Sequence, residues 1–163
     1  MQMASWSSRM LLAAIGLVAL VTLVPAQTTS PNSAPTIPKG KETDVKFYSP
    51  SGGKPVIGGD AFEQMPKADL ILWLAGNQFF AMDDVIGAYQ KQHPAGVGLI
   101  TLPPGLLLQA IKAGGWIYAD KDYRGLPDIY ASVNLGHLKQ LKASGMMDSY
   151  RIYMHNELQI MVA

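Results

Sequence analysis

From residue 68 onward the hydrophobic and polar positions fall into blocks whose lengths mark out alternating strands and helices. Leu70 to Ala75 is an unbroken apolar run of strand length, the pattern of a strand covered on both faces. It runs into Gly76-Asn77-Gln78. Beyond these, Phe80, Val85, Ile86 and Tyr89 form an apolar helical stripe, and Asp83 and Asp84 lie in the early turns, where the helix dipole favours negative charge. His93-Pro94 ends that helix. Val97 to Leu102 predicts a second short strand and Pro103-Pro104-Gly105 a turn. Leu106, Leu107, Ala110 and Ile111 then give the inner face of a second helix closed by Gly114-Gly115.

The stretch from Trp116 to Pro127 is polar and aromatic and reads as a folded-over surface loop. Asp128 to Val133 predicts a third strand, Leu135 to Ala143 a third helix stopping at Gly145, and Glu157 to Val162 a final apolar strand. Strands that alternate with helices in this way specify a mostly parallel sheet with right-handed crossovers. The expected fold is α/β, a three-layer α/β/α lobe over residues 68–163.

The residues before this lobe have a different character. Arg9 is the only charge of a leader in which Met10 to Val24 is almost wholly apolar and Val24-Pro25-Ala26 places small residues before Gln27. Residues 1–26 therefore read as an export signal cleaved after Ala26. The apolar run is shorter than the roughly 20 residues of a spanning helix. Residues 27–67 read as a linker followed by an irregular segment. Thr, Ser, Pro and Asn dominate to about Lys41, Val45 to Tyr48 has the pattern of a short strand that can add an edge to the sheet, and Ser51-Gly52-Gly53-Lys54-Pro55 is a turn cluster rather than a phosphate loop.

Charge and cysteine content narrow the chemistry. Thirteen Lys plus Arg against twelve Asp plus Glu leave no basic surface of the kind nucleic acid requires. The absence of cysteine excludes disulfides, thiolate metal sites and lipid attachment at a processed Cys. His93, His137 and His155 share no spacing that would put two on one helix face, so no metal or other cofactor is implied. No Gly-x-Ser-x-Gly elbow and no evident carboxylate pair occurs, and the chain reads as a binding protein rather than an enzyme.

The candidate ligand-binding residues are those at strand ends. Asn77 and Gln78 stand where the first strand meets a helix start, and their N–H groups and the Asn77 amide are placed to donate to an anion; Asn77 can equally cap its own helix. Gly105 and Leu106 open the second helix at the same sheet edge, either as further donors or as an ordinary helix start after two prolines. Asp128 is assigned a structural role, since a carboxylate facing an anion would repel it.

The order of these elements resembles that of the molybdate-binding branch of the type II periplasmic solute-binding proteins of ABC transporters. Leu72 to Lys91 is similar to that family's first strand and helix, Gly105 to Gly114 to its second helix, Pro127 to Ser132 to its Ala-Asp-Val-Phe-Ile-Ser strand, Leu138 to Met147 to a helix end, and Tyr153 to Val162 to the strand leading to the hinge. The resemblance implies a periplasmic or secreted protein that captures a small oxyanion, such as molybdate or tungstate, or another small polar solute, and passes it to a membrane permease. It also implies two lobes, of which this sequence holds the first and stops before the second. Where the family's second turn carries hydroxyl residues, this chain has Pro103 and Pro104, which offer neither hydroxyl nor N–H. The alternative is an exported α/β hydrolase-like enzyme with catalytic residues beyond residue 163.

Overall fold

The computed structural model describes residues 33–38 and 40–155. The leader expected over residues 1–26 and the strand expected over Glu157 to Val162 lie outside the described residues. The main sheet has five strands in the order β2-β1-β4-β3-β7, and a second, two-stranded sheet is formed by β5 and β6. The strands are β1 (Val45–Tyr48), β2 (Val56–Ile57), β3 (Leu70–Ala75), β4 (Val97–Leu102), β5 (Gly115–Tyr118), β6 (Lys121–Arg124) and β7 (Ile129–Ala131). The helices are α1 (Gly58–Gln64), α2 (Phe79–Gln92), α3 (Pro104–Ala113) and α4 (Leu135–Ala143).

The centre of the sheet is parallel, as expected: β3 pairs in parallel with β4 on one side and β7 on the other. The edge is not, because β1 runs antiparallel to both β4 and β2. Part of the segment expected to be linker and irregular chain is thus built into the fold. Ala34 and Ile37 are buried as well, with Ile37 N–H donating to Ile117 O at 2.9 Å and Ile117 N–H to Pro35 O at 2.9 Å. Two apolar residues placed beside the unpaired edge of β5 outweigh the polar composition around them.

Crossing from β3 to β4 moves one way across the sheet, and crossing from β4 to β7 moves the other. A single crossover hand therefore puts the connecting helices on opposite faces. One face packs Trp73, Ile100 and Leu102 against Phe62 of α1, Leu107 and Ile111 of α3, Leu141 of α4 and Trp116 of β5. The other face packs Leu72, Leu74, Val97 and Leu99 against Met82 and Ile86 of α2. Each large apolar side chain buried in this way contributes about 1.5–3 kcal/mol.

Two expectations need correction. The stripe expected to face inward from α2 faces out: Phe80 is 88% exposed and Val85 53%, and of the four residues Ile86 alone is buried. Polar residues of the helix bond to β1 and the turns beside it. Lys46 Nζ donates to Asp83 Oδ1 at 2.7 Å, Tyr48 Oη donates to the same oxygen, and Gln90 Nε2 donates to Ser49 O at 3.0 Å and Ala95 O at 2.7 Å. Lys46 is itself buried, with Nζ 4.7 Å from the centre of the Phe79 ring. Hydrogen bonds from Lys46 and Tyr48 hold the Asp83 carboxyl below its ordinary range, while burial and the Asp83 carboxylate push the Tyr48 phenol up.

The second correction concerns Trp116 to Pro127. In place of a surface loop, β5 and β6 form a hairpin that lies on the sheet's helical face. Trp116 is 1% exposed with its ring 5.3 Å from that of Trp73, and Tyr123 stacks on Phe62 at 4.4 Å. Ala119 and Asp120 both have positive φ at the hairpin turn, a conformation usually supplied by Asn-Gly, so the turn signal was absent from the sequence.

A Cβ on Gly115 (φ +157°) would lie 2.2 Å from Tyr123 O, a backbone atom that cannot step aside. Gly115→Ala should therefore cost about 1–3 kcal/mol in urea unfolding, whereas replacing Ala119-Asp120 by Asn-Gly should stabilise. Because the Asp83 carboxyl titrates lower when folded, its contribution is present above the unfolded value near 3.8 and lost as pH falls through the folded one. The urea midpoint should fall on acidification below about pH 4, and Asp83→Asn should flatten that limb.

Candidate functional site

In a parallel sheet the polar contacts at the two ends of the strands differ in kind. At the N-terminal edge two carboxylates act as latches. Gly96 N–H donates to Asp69 Oδ2 at 2.7 Å, tying β4 to the start of β3, and Ile71 N–H donates to Asp128 Oδ2 at 2.7 Å, tying β7 to the same strand. Asp128 N–H returns a bond to Ile71 O at 2.9 Å. Asp128 has the structural role assigned to it from sequence.

At the C-terminal edge the chain turns into helices. Ala75 pairs with Leu102 in register and Leu74 with Ala131, so the turns after β3, β4 and β7 leave the sheet at one level. The first is a 3-10 turn over Gly76–Gln78, closed by Phe79 N–H on Gly76 O. Asn77 is exposed and makes no capping bond, because α2 begins only at Phe79 with Gln78 in the capping position. The capping role open to Asn77 in the sequence is not used. Its amide is free among the described residues.

The second turn is poor in donors. Pro103 and Pro104 lead into α3 without an N–H, and the N–H groups of Leu106 and Leu107 are both taken by Pro103 O, at 3.0 and 3.2 Å. With its N–H bonded in this way Leu106 does not offer the backbone donor expected of it, and its side chain packs against the core. Gly105 is exposed, and its N–H is the remaining donor at the start of α3 among the described residues.

The third turn was not assigned to the site from sequence. Asn134 caps α4, its Oδ1 accepting from Gly136 N–H at 2.8 Å, and Ser132 Oγ accepts from Asn134 N–H at 3.1 Å. Tyr130 Oη donates to Pro104 O at 3.1 Å and lies 3.3 Å from His137 Nδ1, linking the α3 start to α4. Burial pushes the Tyr130 phenol up. The only sequence signal for this network was the Ser-Val-Asn that follows β7.

Two cavities adjoin this edge, and only the larger takes in any of the expected residues. Asn77 and Gln78 border a cavity of about 1060 Å³ between α2, β7 and residues 146–154. Gly76 borders a second, of about 400 Å³, with Lys41, Thr43, Asp44, Phe79, Phe80, Thr101 and Pro103. Gly105 and Leu106 border neither. The 3-10 turn over Gly76–Gln78 therefore separates the two cavities, and the residues expected in one crevice occupy adjacent parts of one edge.

The smaller cavity has a wall that the sequence reading left in the linker. A 3-10 turn over Glu42–Asp44 is fixed by Asp44 N–H on Lys41 O at 3.0 Å and by the Thr101 hydroxyl on Asp44 O at 3.3 Å. Lys41 Nζ lies 3.4 Å from Asp44 Oδ2. A cation and an anion are thus presented side by side at the ends of β3 and β4. Phe79 and Phe80 stand opposite in edge-to-face contact, with ring centres 5.5 Å apart.

Comparison with known proteins adds one positive finding. A family model described as bacterial extracellular solute-binding protein matches residues 70–163, more than half of the chain and the whole of the β3 to α4 succession. No curated protein and no solved structure matches the chain. With its strand-end edge and alternating α/β order, the chain belongs to the bacterial extracellular solute-binding protein family.

Proposed function

We propose that this chain is the extracytoplasmic solute-capturing component of an ABC importer, holding a small oxyanion or another small polar solute at the C-terminal edge of β3 and β4 and passing it to a membrane permease. The observation that carries this reading is the register of Ala75 with Leu102, which brings two strand-to-helix turns to one level, with Asn77 and Gln78 bordering the larger cavity and Gly76 the smaller. Asn77, Gln78 and Gly105 are the proposed donors, through the Asn77 amide and backbone N–H groups; Leu106 sets the position of Gly105. Dipoles of this kind hold a solute without a full countercharge, which suits capture followed by release.

Closure of a second lobe over this edge, by hinge motion, is the expected switch. The role is one of binding, in keeping with the family. An export signal over residues 1–26 would deliver the protein to the periplasm or the medium.

Isothermal calorimetry of the complete protein with molybdate, tungstate, sulfate and small organic acids and amino acids tests the proposal. Saturable binding of at least one solute is expected, and Asn77→Ala should weaken it about tenfold, the equivalent of roughly 1.4 kcal/mol. Failure to bind any solute of the panel contradicts it.

A further inference from the structure

We infer that the solute held at this edge is a small organic zwitterion with an apolar or aromatic body, such as an apolar α-amino acid, and not a bare oxyanion. The inference rests on the solute-binding reading above and narrows it by the chemistry of the smaller cavity, which Gly76 borders on the other side of the turn from Asn77 and Gln78.

Charge comes first. The cavity wall carries Asp44 beside Lys41, held in place by backbone and hydroxyl bonds that do not depend on a ligand. An oxyanion entering here would meet a carboxylate at close range in a partly desolvated site, where like charges repel more strongly than in water. A ligand that brings its own ammonium and carboxylate exchanges the Lys41 to Asp44 contact for two complementary ones.

The donor supply points the same way. A tetrahedral oxyanion needs several converging donors to replace its water, yet Pro103, which borders the cavity, has none. The Thr101 hydroxyl is already committed to Asp44 O. Size and surface complete the picture. The volume of about 400 Å³ falls within the range of pockets for organic ligands. Phe79, Phe80 and Pro103 supply apolar walls, and Phe80 is 88% exposed at the lip, an aromatic face held out of the core by the packing of Met82 and Ile86. A ring or branched aliphatic body laid against Phe80 would bury that face.

Calorimetry of the complete protein with L-phenylalanine, L-leucine, phenylacetate, phenethylamine and molybdate is the test. One of the two amino acids should bind saturably, and loss of either charged group, as in phenylacetate or phenethylamine, should weaken binding at least tenfold. Phe80→Ala and Lys41→Gln alter exposed side chains, so both should keep the wild-type melting curve while binding the amino acid at least fivefold more weakly. Molybdate binding more tightly than either amino acid would overturn the ligand class and leave solute capture standing, as would phenylacetate binding as well as phenylalanine. No binding by any of these or by the wider panel of oxyanions and organic acids would overturn both readings.

Discussion

The pairing of β3 with β4 in parallel, with Ala75 opposite Leu102, is the constraint on which the rest of the site depends. A shift of one residue would turn Trp73 from the face it shares with Phe62, Ile111 and Trp116 onto the face covered by α2. It would also move Gly76 out of level with Pro103. Register is therefore held by apolar burial on both faces, and the site inherits its geometry from the core. The Asp69 and Asp128 latches reinforce the same register from the opposite edge, where their carboxylates bond backbone N–H groups, Asp128 at the far end of the larger cavity.

A second link joins the edge strand to the site. Lys46 and Tyr48 reach from β1 to Asp83 on α2, and the Lys46 ammonium lies over Phe79. This cluster fixes the first turns of α2, and so the direction in which the 3-10 turn over Gly76–Gln78 leaves β3. The antiparallel strand thus both completes the sheet and sets one wall of the cavity, since Asp44 immediately precedes Val45. Packing on one side of the sheet is much thicker than on the other: α1, α3, α4 and the β5–β6 hairpin cover one face, and α2 covers its opposite.

The parallel centre of the fold was legible because its strands are continuous apolar runs with sharp boundaries: Val97 to Leu102 is the strand expected, and Leu135 to Ala143 the helix expected. Where tertiary partners decide, the pattern misled. Asp83 and Gln90 reach toward β1 and the turn after it, where Lys46, Tyr48 and the Ser49 carbonyl bond them, while Met82 and Ile86 rather than the expected stripe pack on the sheet. The β5–β6 hairpin was hidden by a turn built from Ala119 and Asp120 in place of glycine. The site was half legible. Asn77 and Gln78 stand at the edge where a strand end is expected, but Lys41 and Asp44 reach that edge through the antiparallel addition of β1, a pairing distant in sequence, and the Leu106 N–H is bonded to Pro103 O.

Family membership and the strand-end geometry together support the proposal that the C-terminal edge of β3 and β4 is the gripping surface. Hydrogen–deuterium exchange of the complete protein, with and without a saturating solute, tests this most directly. The account predicts added protection at the amides of Gly76 to Phe79 and of Gly105, with little change at Asp69 to Ile71 or Gly96. Protection confined to that N-terminal edge, or to the β5–β6 hairpin, would contradict it.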